Sequence, residues 1–263
     1  MGRALDGKRA LVTGSVRGLG LAAAHRLADA GCHIVFNGID DPREVQPIRD
    51  DVERLHQVRT VYCRADLRRP SEIEVMVAAA NDALGSIDIL INNAVVRHTA
   101  PVEAFDTAAW DEALAVNVSA AFHTIRLVVG GMKQRQWGRI INVSSIYGLR
   151  GAPNRVGYVT SKTALIGMTR AVALETVAHG ITCNAVCPGT TETPVHDETI
   201  RTTMSAAGLS RADAEQRFLV GKQPTGRFIG ADNVAQLIAF LCRPEGADIT
   251  GAVLPIDGGW SAG

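Results

Sequence analysis

The sequence predicts an α/β fold in which a doubly wound parallel sheet forms a single domain. Short apolar runs recur along the chain, segments with helical periodicity separate them, and a glycine-rich stretch follows the first run. Short apolar runs of this kind are typical of strands that are buried on both faces of a parallel sheet. Their alternation with helices predicts right-handed crossovers and helices on both faces of the sheet.

Seven runs are strand candidates and five periodic segments are helix candidates. The strands are predicted at residues 9–13, 33–37, 60–63, 87–92, 139–143, 181–186 and 252–256. The helices are predicted at residues 19–30, 71–84, 117–136, 156–178 and 232–242. Ser71 is predicted to be the N-cap of the second of these helices. No linker or repeat interrupts residues 1–263, so we expect one domain.

Residues 190–221 break this alternation because they are long, polar and without an apolar run. Excursions of this length are often lids or loops that cover a site. The segment is predicted to be a helical substrate flap over the carboxyl edge of the sheet.

The composition argues against several classes of protein. Lys plus Arg and Asp plus Glu number 27 each, so the net charge is zero and neither a nucleic acid nor an anionic membrane is expected as a partner. Residues 1–9 are too polar for a signal peptide, and no run approaches the ~18 apolar residues of a membrane span. We therefore expect a cytoplasmic protein.

The cysteine and histidine patterns point to neither disulfides nor a metal. The five cysteines form no C-x-x-C pair, and most lie in apolar surroundings, so we interpret them as buried thiols in a reducing compartment. The histidines show no H-E-x-x-H spacing, and no catalytic metal is expected.

The stretch from Ser144 to Lys162 contains the strongest chemical signal. Tyr158 and Lys162 are four positions apart and share one face if residues 156–178 are helical. An ammonium at this distance favours the phenolate and lowers the tyrosine pKa from its usual value of about 10. Tyr158 could then act as an acid or base, while Ser145 donates a hydrogen bond to a substrate oxygen. The alternative is a half-buried tyrosine beside a solvated lysine, and Y-x-x-x-K alone does not exclude it.

A glycine-rich turn follows the first predicted strand. Gly14, Gly18 and Gly20 form the spacing G-x-x-x-G-x-G. Glycines permit a tight turn and a close approach of the backbone to a phosphate, and the next helix presents its free N–H groups to a pyrophosphate. The turn therefore predicts a nucleotide site, although three glycines could also be only a turn.

The motifs taken together resemble those of the short-chain dehydrogenase/reductase family. The matching pieces are, in chain order, Thr13 to Gly20, Asp66-Leu67, Asn92-Asn93-Ala94, Asn117, Ser145, Tyr158, Lys162, Cys187-Pro188-Gly189, Thr193-Pro194 and Asp257-Gly258-Gly259. The resemblance covers nearly the whole chain. It implies a Rossmann-type fold of about seven strands and a nicotinamide dinucleotide as the cofactor.

The same resemblance assigns catalytic roles to four residues. Tyr158 would be the acid or base and Ser145 would stabilise the alkoxide. Lys162 would keep Tyr158 ionised and bind the nicotinamide ribose. Asn117 would hold a water molecule that relays protons from Lys162, although it could also be a simple polar helix residue.

The resemblance also implies where the cofactor binds. Asp66 would accept a hydrogen bond from adenine, although it could instead be a helix N-cap, and Asn93 would lie beside the ribose. Relatives usually have glycine where this chain has Val95, and we expect a small backbone shift there. The full set of expected cofactor-binding residues is Gly14, Arg17, Gly18, Leu19, Gly20, Asn37, Asp66, Leu67, Asn93, Ala94, Tyr158, Lys162, Pro188, Gly189, Thr191 and Thr193.

The choice between NAD and NADP depends on the end of the second strand. Asp40 and Asp41 follow it, and an acidic residue there binds a 2′-hydroxyl and repels a 2′-phosphate. This favours NAD. Arg17 stands where many NADP-using relatives carry a base, so NADP stays as the alternative.

Within the family, several stretches look most like 3-hydroxybutyrate dehydrogenases, but the pocket residues differ. Arg97 stands where that branch has glutamine, Tyr147 where it has histidine, and Thr190 where it has tryptophan. The expected substrate residues are Arg97, Ser145, Tyr147, Arg155, Tyr158 and Thr190. They suggest a hydroxy acid somewhat larger than 3-hydroxybutyrate, held by an arginine clamp, although these arginines could be solvated rim residues.

Two other functions and an assembly state follow from the same reasoning. The alternatives are an NADPH-dependent reductase of 3-oxoacyl thioesters or other ketones, and a non-enzymatic nucleotide-binding protein. Residues 117–136 and 156–178 carry apolar surface beyond the needs of one sheet face, for example at Leu165 and Met168. As family members pair these helices between subunits, we expect a homo-oligomer, in the form of a tetramer.

Overall fold

The computed structural model of the chain describes residues 3–192 and 194–262, and a parallel sheet forms its centre. The described strands are β1 Arg9–Val12, β2 His33–Gly38, β3 Thr60–Arg64, β4 Ile89–Asn92, β5 Gly138–Val143, β6 Ile181–Pro188 and β7 Val253–Ile256. Their order across the sheet is β3-β2-β1-β4-β5-β6-β7, and all neighbours run parallel. The predicted doubly wound sheet and its seven strands are therefore confirmed.

Helices cover both faces of this sheet. They are α1 Gly18–Asp29, α2 Pro42–His56, α3 Pro70–Leu84, α4 Thr107–Leu114, α5 Ala120–Arg135, α6 Val156–Thr176, α7 Pro194–Ala207, α8 Arg211–Leu219 and α9 Ala231–Cys242. One apolar cluster joins α1 and α9 to the sheet, and a second cluster joins α3, α5 and α6 to the opposite face. Burial on both faces explains why the strands are apolar at nearly every position.

Two helices and one helix start differ from the sequence prediction. The sequence analysis did not predict α2 and α4. In α2 only Val45 and Val52 are buried, Ile48 is partly buried against the core, and Pro47 lies inside the helix, where a proline argues against a helix prediction. The prediction that Ser71 caps α3 is wrong, because the helix begins at Pro70 and Arg69 occupies the cap position without a side-chain hydrogen bond. Proline fits the first helical turn, where no backbone N–H is needed.

The helix predicted at residues 117–136 belongs to a longer helical run. A π-helical turn, Ala115–Ser119, joins α4 to α5. Among the described residues, the run Thr107–Arg135 is long and apolar enough to cross a membrane by length and composition, which the sequence analysis did not anticipate. Its inner side chains, such as Val128 and Met132, pack on the sheet, and a core helix passes the same test.

The helix predicted at residues 156–178 ends earlier, at Thr176, and a 3₁₀ turn follows it. Leu165, which was expected to contribute to a subunit surface, is instead buried within the core. Exposed apolar side chains do lie on α5 and α6, at Phe122 and Leu174.

The segment at residues 190–221 is helical, as predicted, since it contains α7 and α8. Its start pairs with the segment that precedes α9, where the backbone N–H of Ile229 donates to the carbonyl of Thr190 at 2.9 Å. Thr193 lies outside the described residues.

The five cysteines are all buried and unpaired, as predicted. In residues 3–192 and 194–262 no group of three or more His, Cys, Asp or Glu side chains could hold a metal ion.

Candidate active site

A cavity of about 530 Å³ opens at the carboxyl ends of strands β1 to β6. In doubly wound sheets, ligands bind at this edge, where the connections from two neighbouring strands diverge. Here β1 and β4 are such neighbours, because β1 leads to β2 on one side and β4 leads to β5 on the other. The predicted nucleotide turn lines one end of the cavity, and Tyr158 and Lys162 line the other.

The glycine turn needs its glycines for two different reasons. Gly14 and Gly18 have φ values of +59° and +55°, in the left-handed region that favours glycine. A Cβ at Gly20 would lie 2.3 Å from the Gly14 carbonyl oxygen, so no side chain fits there. At Gly18, by contrast, the space beside the backbone is open, which suits the approach of a phosphate.

Two asparagines hold this turn from the neighbouring strands. The side chain of Asn37, on β2, accepts a hydrogen bond from the Gly14 N–H at 3.3 Å. The amide of Asn93, after β4, donates to the carbonyls of Thr13 and Gly14 at 2.9 and 3.0 Å. Next to Val95, the N–H of Ala94 bonds to Thr13 Oγ1 at 3.0 Å. The turn is thus fixed by the sheet rather than by its own residues.

The opposite wall of the nucleotide end carries acidic groups that are already paired. Asp40 lines the cavity and forms an ion pair with Arg17. Asp66 lines it too, and its carboxylate binds the Arg68 guanidinium at 2.7 Å. The hydrogen bonds from Arg68 hold the pKa of Asp66 below its usual range. Asp41, in contrast, caps α2 and contacts Arg43 outside the cavity wall.

Tyr158 and Lys162 lie side by side on α6, as the spacing predicted. Both are buried, and the Lys162 ammonium is 5.8 Å from the centre of the Tyr158 ring. Burial acts to raise the pKa of Tyr158, but the charges of Lys162 and Arg97 and the hydrogen bonds with Ser145 and Arg97 outweigh it. The pKa of Tyr158 is therefore lowered below its usual value.

Ser145 and Lys162 are each fixed by a neighbouring backbone group. Lys162 Nζ donates to the carbonyl oxygen of Val143, at the end of β5, at 2.7 Å. Ser145 follows two residues later, and its Oγ accepts a hydrogen bond from the N–H of Tyr147 at 3.2 Å. The end of β5 thus positions both groups against Tyr158.

Asn117 lies within the π-helical turn between α4 and α5. Its side chain bonds to both backbone groups of Val96, at 2.9 and 3.1 Å, and donates to Ser161 Oγ at 3.1 Å. Asn117 therefore joins the loop that carries Arg97 to the helix that carries Tyr158. Its described hydrogen bonds do not include Lys162. Single π-helical turns are frequent at functional sites.

Arg97 brings a positive charge to the reactive end of the cavity. Its guanidinium carbon lies 5.5 Å from the centre of the Tyr158 ring, a cation–π distance, and the side chain is largely exposed to the cavity and solvent. Arg150 does not line the cavity and instead donates to the carbonyl of Trp260. Of these two arginines, only Arg97 is available to a bound substrate.

His196 was not found by the sequence analysis, yet it lines the cavity from α7. Its Nδ1 donates to the carbonyl of Thr191 at 2.6 Å, and its ring packs near Phe218 and Phe228. Burial, together with nearby positive charges, lowers the pKa of His196. No spacing motif marks this histidine, because its position depends on how the flap folds over the sheet.

Most of the predicted residues lie in the cavity wall, but several do not. Pro188, Gly189 and Thr191 line it, whereas the Thr190 side chain is buried away from it. The remaining predicted residues that line the wall are Gly14, Arg17, Gly18, Leu19, Gly20, Asn37, Asp66, Leu67, Asn93, Ala94, Arg97, Ser145, Tyr158 and Lys162. Tyr147 and Arg155 lie one layer behind it, with the Tyr147 ring 6.3 Å from that of Tyr158 and Arg155 against the Tyr147 ring.

The comparison with known families agrees with this geometry. Residues 8–203 match the sequence profile of the family described as short chain dehydrogenase. The chain belongs to the short-chain dehydrogenase family. It is accordingly an oxidoreductase that acts on secondary alcohol or ketone groups with NAD or NADP.

Two relatives from the same family are similar to this chain over nearly their whole length. Both are named D-beta-hydroxybutyrate dehydrogenase. The protein from Rhizobium meliloti is 40% identical over 255 residues, covering 97% of this chain and 99% of the relative. The protein from Cupriavidus necator is 39% identical over 259 residues, covering 98% and 99%.

A solved structure of a short-chain dehydrogenase fold is also close to this one. L-sorbose reductase from Gluconobacter frateurii, in complex with NADPH and L-sorbose, superposes with a TM-score of 0.94 at 26% identity, covering 99% of this chain and 98% of that chain. The same architecture therefore accommodates an NADP cofactor in a relative whose substrate is a sugar.

The cavity of this family member fits a nicotinamide dinucleotide. The open space at Gly18 and the two left-handed glycines suit a pyrophosphate, and the cavity continues from there to Tyr158. Gly189 lines the cavity and its backbone packs closely on Asp257, since a Cβ there would lie 2.9 Å from the Cα of Asp257.

Proposed function

We propose that this chain interconverts a hydroxy acid related to 3-hydroxybutyrate and its keto acid, using NAD. The observation that carries the proposal is the position of Arg97, whose guanidinium lies over the ring of Tyr158 in the cavity wall. A carboxylate held by Arg97 would bring its hydroxyl close to the tyrosine, and guanidinium pairs well with carboxylate. The similarity to two D-beta-hydroxybutyrate dehydrogenases supports the same substrate class.

In the proposed reaction, side chains of the protein transfer the proton of the substrate hydroxyl. When bound, the nicotinamide supplies the acceptor for the hydride from the carbinol carbon. Tyr158, as the phenolate, accepts the proton of the substrate hydroxyl, so that C–H and O–H bonds break and a C=O bond forms. Ser145 donates a hydrogen bond to the developing alkoxide. Lys162 keeps the phenolate charged, and reduction of the ketone follows the same steps in reverse.

Asn117 is proposed to support proton transfer through Lys162 to solvent. A small cavity of about 10 Å³ lies beside Asn117, between Thr13 and Leu165. A space of this volume is at the lower limit for one water molecule. The hydrogen bonds of Asn117 to Val96 and Ser161 would also keep the Arg97 loop against α6.

NAD is proposed over NADP because Asp40 lines the nucleotide end of the cavity, where its carboxylate would accept a bond from a 2′-hydroxyl. The proposed nucleotide contacts are those of the cavity wall, with Asp66 and Leu67 at adenine and Asn93 at the ribose. Thr193 is also proposed as a cofactor contact, on the basis of the sequence motif alone.

One observation favours a second candidate, an NADPH-dependent reductase of 3-oxoacyl thioesters or other ketones. Arg17 pairs with Asp40 and so partly neutralises the charge that would repel a 2′-phosphate. The structural relative that contains NADPH shows that the fold permits this cofactor. Thr190 stands where the 3-hydroxybutyrate dehydrogenase branch is expected to have a tryptophan, and the smaller side chain would leave room for a larger substrate. Cofactor preference distinguishes the two candidates.

Further parts of the proposal concern the flap, the assembly and the compartment. Residues 190–221 would cover the substrate, and Tyr147, Arg155 and Thr190 would support the pocket wall from behind.

The exposed apolar side chains of α5 and α6, at Phe122 and Leu174, would be covered in a homo-oligomer, which we expect to be a tetramer. Five unpaired thiols suit the reducing cytoplasm.

The direct test is to incubate the purified chain with (R)-3-hydroxybutyrate and with either NAD or NADP, and to measure the reduced cofactor and acetoacetate. We expect equal amounts of both products with NAD. A neutral secondary alcohol such as 2-butanol serves as the control for the carboxylate. Oxidation of 2-butanol at a higher kcat/KM than any hydroxy acid would contradict the substrate class.

A further inference from the structure

His196 lies where the flap meets the reactive end of the cavity. It belongs to the first turn of α7, and it lines the cavity together with Gly189, Thr191 and Tyr158. The proton transfer assigned to Tyr158, Ser145 and Lys162 does not use its side chain. A polar, titratable group in the cavity wall therefore has no part yet in the reaction.

Two kinds of contact fix the orientation of the His196 ring. Its Nδ1 lies 2.6 Å from the carbonyl oxygen of Thr191, and a carbonyl only accepts, so Nδ1 carries the proton of this bond. The ring centre lies 5.6 Å from that of Phe218 and 6.0 Å from that of Phe228, and these two rings stack on each other. Burial lowers the pKa of His196, so at neutral pH the ring is the neutral Nδ1–H tautomer.

The segment around Thr191 is also held on its other side. Thr191 forms a parallel bridge with Ile229. The N–H of Ile229 donates to the Thr190 carbonyl, and the N–H of Glu192 donates to the Ile229 carbonyl, both at 2.9 Å. The Thr191 carbonyl lies between these two bonds along the chain, and His196 binds it from the flap. The segment is thus held between the strand-like pairing and the histidine.

This segment continues a loop that forms part of the cavity wall. Pro188, Gly189 and Thr191 line the cavity. The start of the loop is fixed to β7, because the N–H of Gly189 donates to the Ile256 carbonyl at 3.0 Å. Thr191 is buried, and a buried carbonyl without a donor is costly. Without His196 the Thr191 carbonyl would have to move toward another donor, and the lining backbone would move with it.

We propose that His196 is a positioning residue for the nicotinamide end of the cofactor. By binding the Thr191 carbonyl, it holds residues 188–191 where they fit the nicotinamide ring beside Tyr158. This inference goes beyond the proposed function, because it concerns the cofactor and applies whichever alcohol the chain oxidises. It assigns to the hydrogen bond, and not to the packing of the ring on Phe218 and Phe228, the effect on the cofactor.

The test compares two ligands that differ only at the nicotinamide end. NADH and ADP-ribose share the adenosine and the pyrophosphate, but ADP-ribose lacks the nicotinamide ring. Calorimetry on the full chain gives the Kd of each ligand, and the ratio of the two Kd values is the readout. If the wild type prefers NADPH, the matched pair is NADPH and 2′-phospho-ADP-ribose.

Two variants separate the hydrogen bond from the ring. His196→Phe keeps a ring for Phe218 and Phe228 but has no donor for Thr191, so NADH should bind about fivefold or more weaker while ADP-ribose changes by less than about twofold. His196→Asn loses the ring but places an amide N–H at the δ position, where histidine carries Nδ1. The ratio of Kd values in His196→Asn should therefore stay near that of the wild type.

His179→Phe is the matched control. This histidine also makes a side-chain hydrogen bond, to Gln136 at 3.0 Å, but it lies in the 3₁₀ turn after α6 and does not line the cavity. Its replacement should leave both affinities as in the wild type.

Each other outcome overturns the inference. A wild-type ratio in His196→Phe would show that the bond to Thr191 does not position the loop. An equal loss of NADH affinity in His196→Phe and His196→Asn would assign the effect to ring packing. An equal loss of both ligands in His196→Phe would show that His196 supports the fold as a whole. Oxidation of 3-hydroxybutyrate by the wild type is measured separately, so the proposed function and this inference fail independently.

Discussion

Arg97 lies over the ring of Tyr158, with its guanidinium carbon 5.5 Å from the ring centre, and its positive charge helps to lower the pKa of the tyrosine hydroxyl. The two residues belong to the loop after β4 and to the start of α6, and Asn117 holds these two elements together. One charge is thus suited both to bind an acidic substrate and to favour the phenolate. In the proposed function, recognition of an acidic substrate and activation of Tyr158 therefore depend on the same side chain.

The first prediction concerns pH. In alcohol oxidation Tyr158 must be deprotonated, so kcat/KM should rise with pH and level off above the tyrosine pKa. Because Lys162 and Arg97 lower that pKa, the midpoint should lie below the usual value of about 10. Lys162→Met removes a positive charge, so the pKa of Tyr158 should increase and the midpoint should move to higher pH. A midpoint that is the same in both proteins would show that Lys162 does not set the ionisation of Tyr158.

The second prediction concerns Arg97. Hydrogen bonds to charged groups contribute about 1.5–3 kcal/mol, so Arg97→Ala should raise KM for hydroxy acids about tenfold to a hundredfold. Its KM for 2-butanol should change little. Arg150→Ala is the matched control, because Arg150 bonds to Trp260 outside the cavity wall. An unchanged KM for every acidic substrate would remove Arg97 from the carboxylate site.

The third prediction concerns the choice of cofactor. We expect the wild type to use NAD with the higher kcat/KM. Asp40→Ala should reverse this preference by about tenfold or more, because Arg17 is then free to bind a 2′-phosphate. Asp41→Ala is the control, since Asp41 caps α2 outside the cavity wall and its loss should affect only stability, by about 1 kcal/mol. A lower KM for NADP in the wild type would favour the reductase instead.

Much of the fold could be predicted from the sequence because burial in a parallel sheet leaves a strong signal. All seven described strands were found from their apolar runs, whereas α2 was missed because it contains Pro47 and is polar at most of its positions. Ser71 was assigned as a cap on residue type alone. The proline before it already supplies the first helical position.

Spacing alone predicted the candidate site only within one element, and residues of other elements were assigned from the family resemblance. Tyr158 and Lys162 share a helix, so four residues of separation sufficed to place them together. Arg97 and His196 come from a loop and from the flap, and no local pattern shows which side chains they approach. The pairing of Arg17 with Asp40 likewise depends on how β1 and β2 are joined in the sheet.

The fourth prediction concerns the glycine turn. Gly20→Ala would place a methyl group 2.3 Å from the Gly14 carbonyl oxygen and 2.6 Å from the Asn93 amide. The turn must then move, and affinity for the dinucleotide, measured by NADH fluorescence, should fall at least tenfold. Gly151→Ala is the control, because a Cβ there meets nothing within 4 Å. Equal NADH affinity in the two variants would contradict the assignment of the phosphate-binding turn.

The most direct measurement for the whole account is the rate of hydroxy-acid oxidation by Tyr158→Phe, together with its affinity for NADH. Loss of a general base lowers rates by about 10²- to 10⁴-fold, so kcat should fall by at least a hundredfold while NADH binding is retained. Tyr62→Phe serves as the matched control, since its hydroxyl donates to the Asp40 carbonyl at 2.9 Å, away from Ser145 and Lys162. A Tyr158→Phe enzyme with kcat within a few-fold of the wild type would contradict the assignment of Tyr158 as the acid–base group.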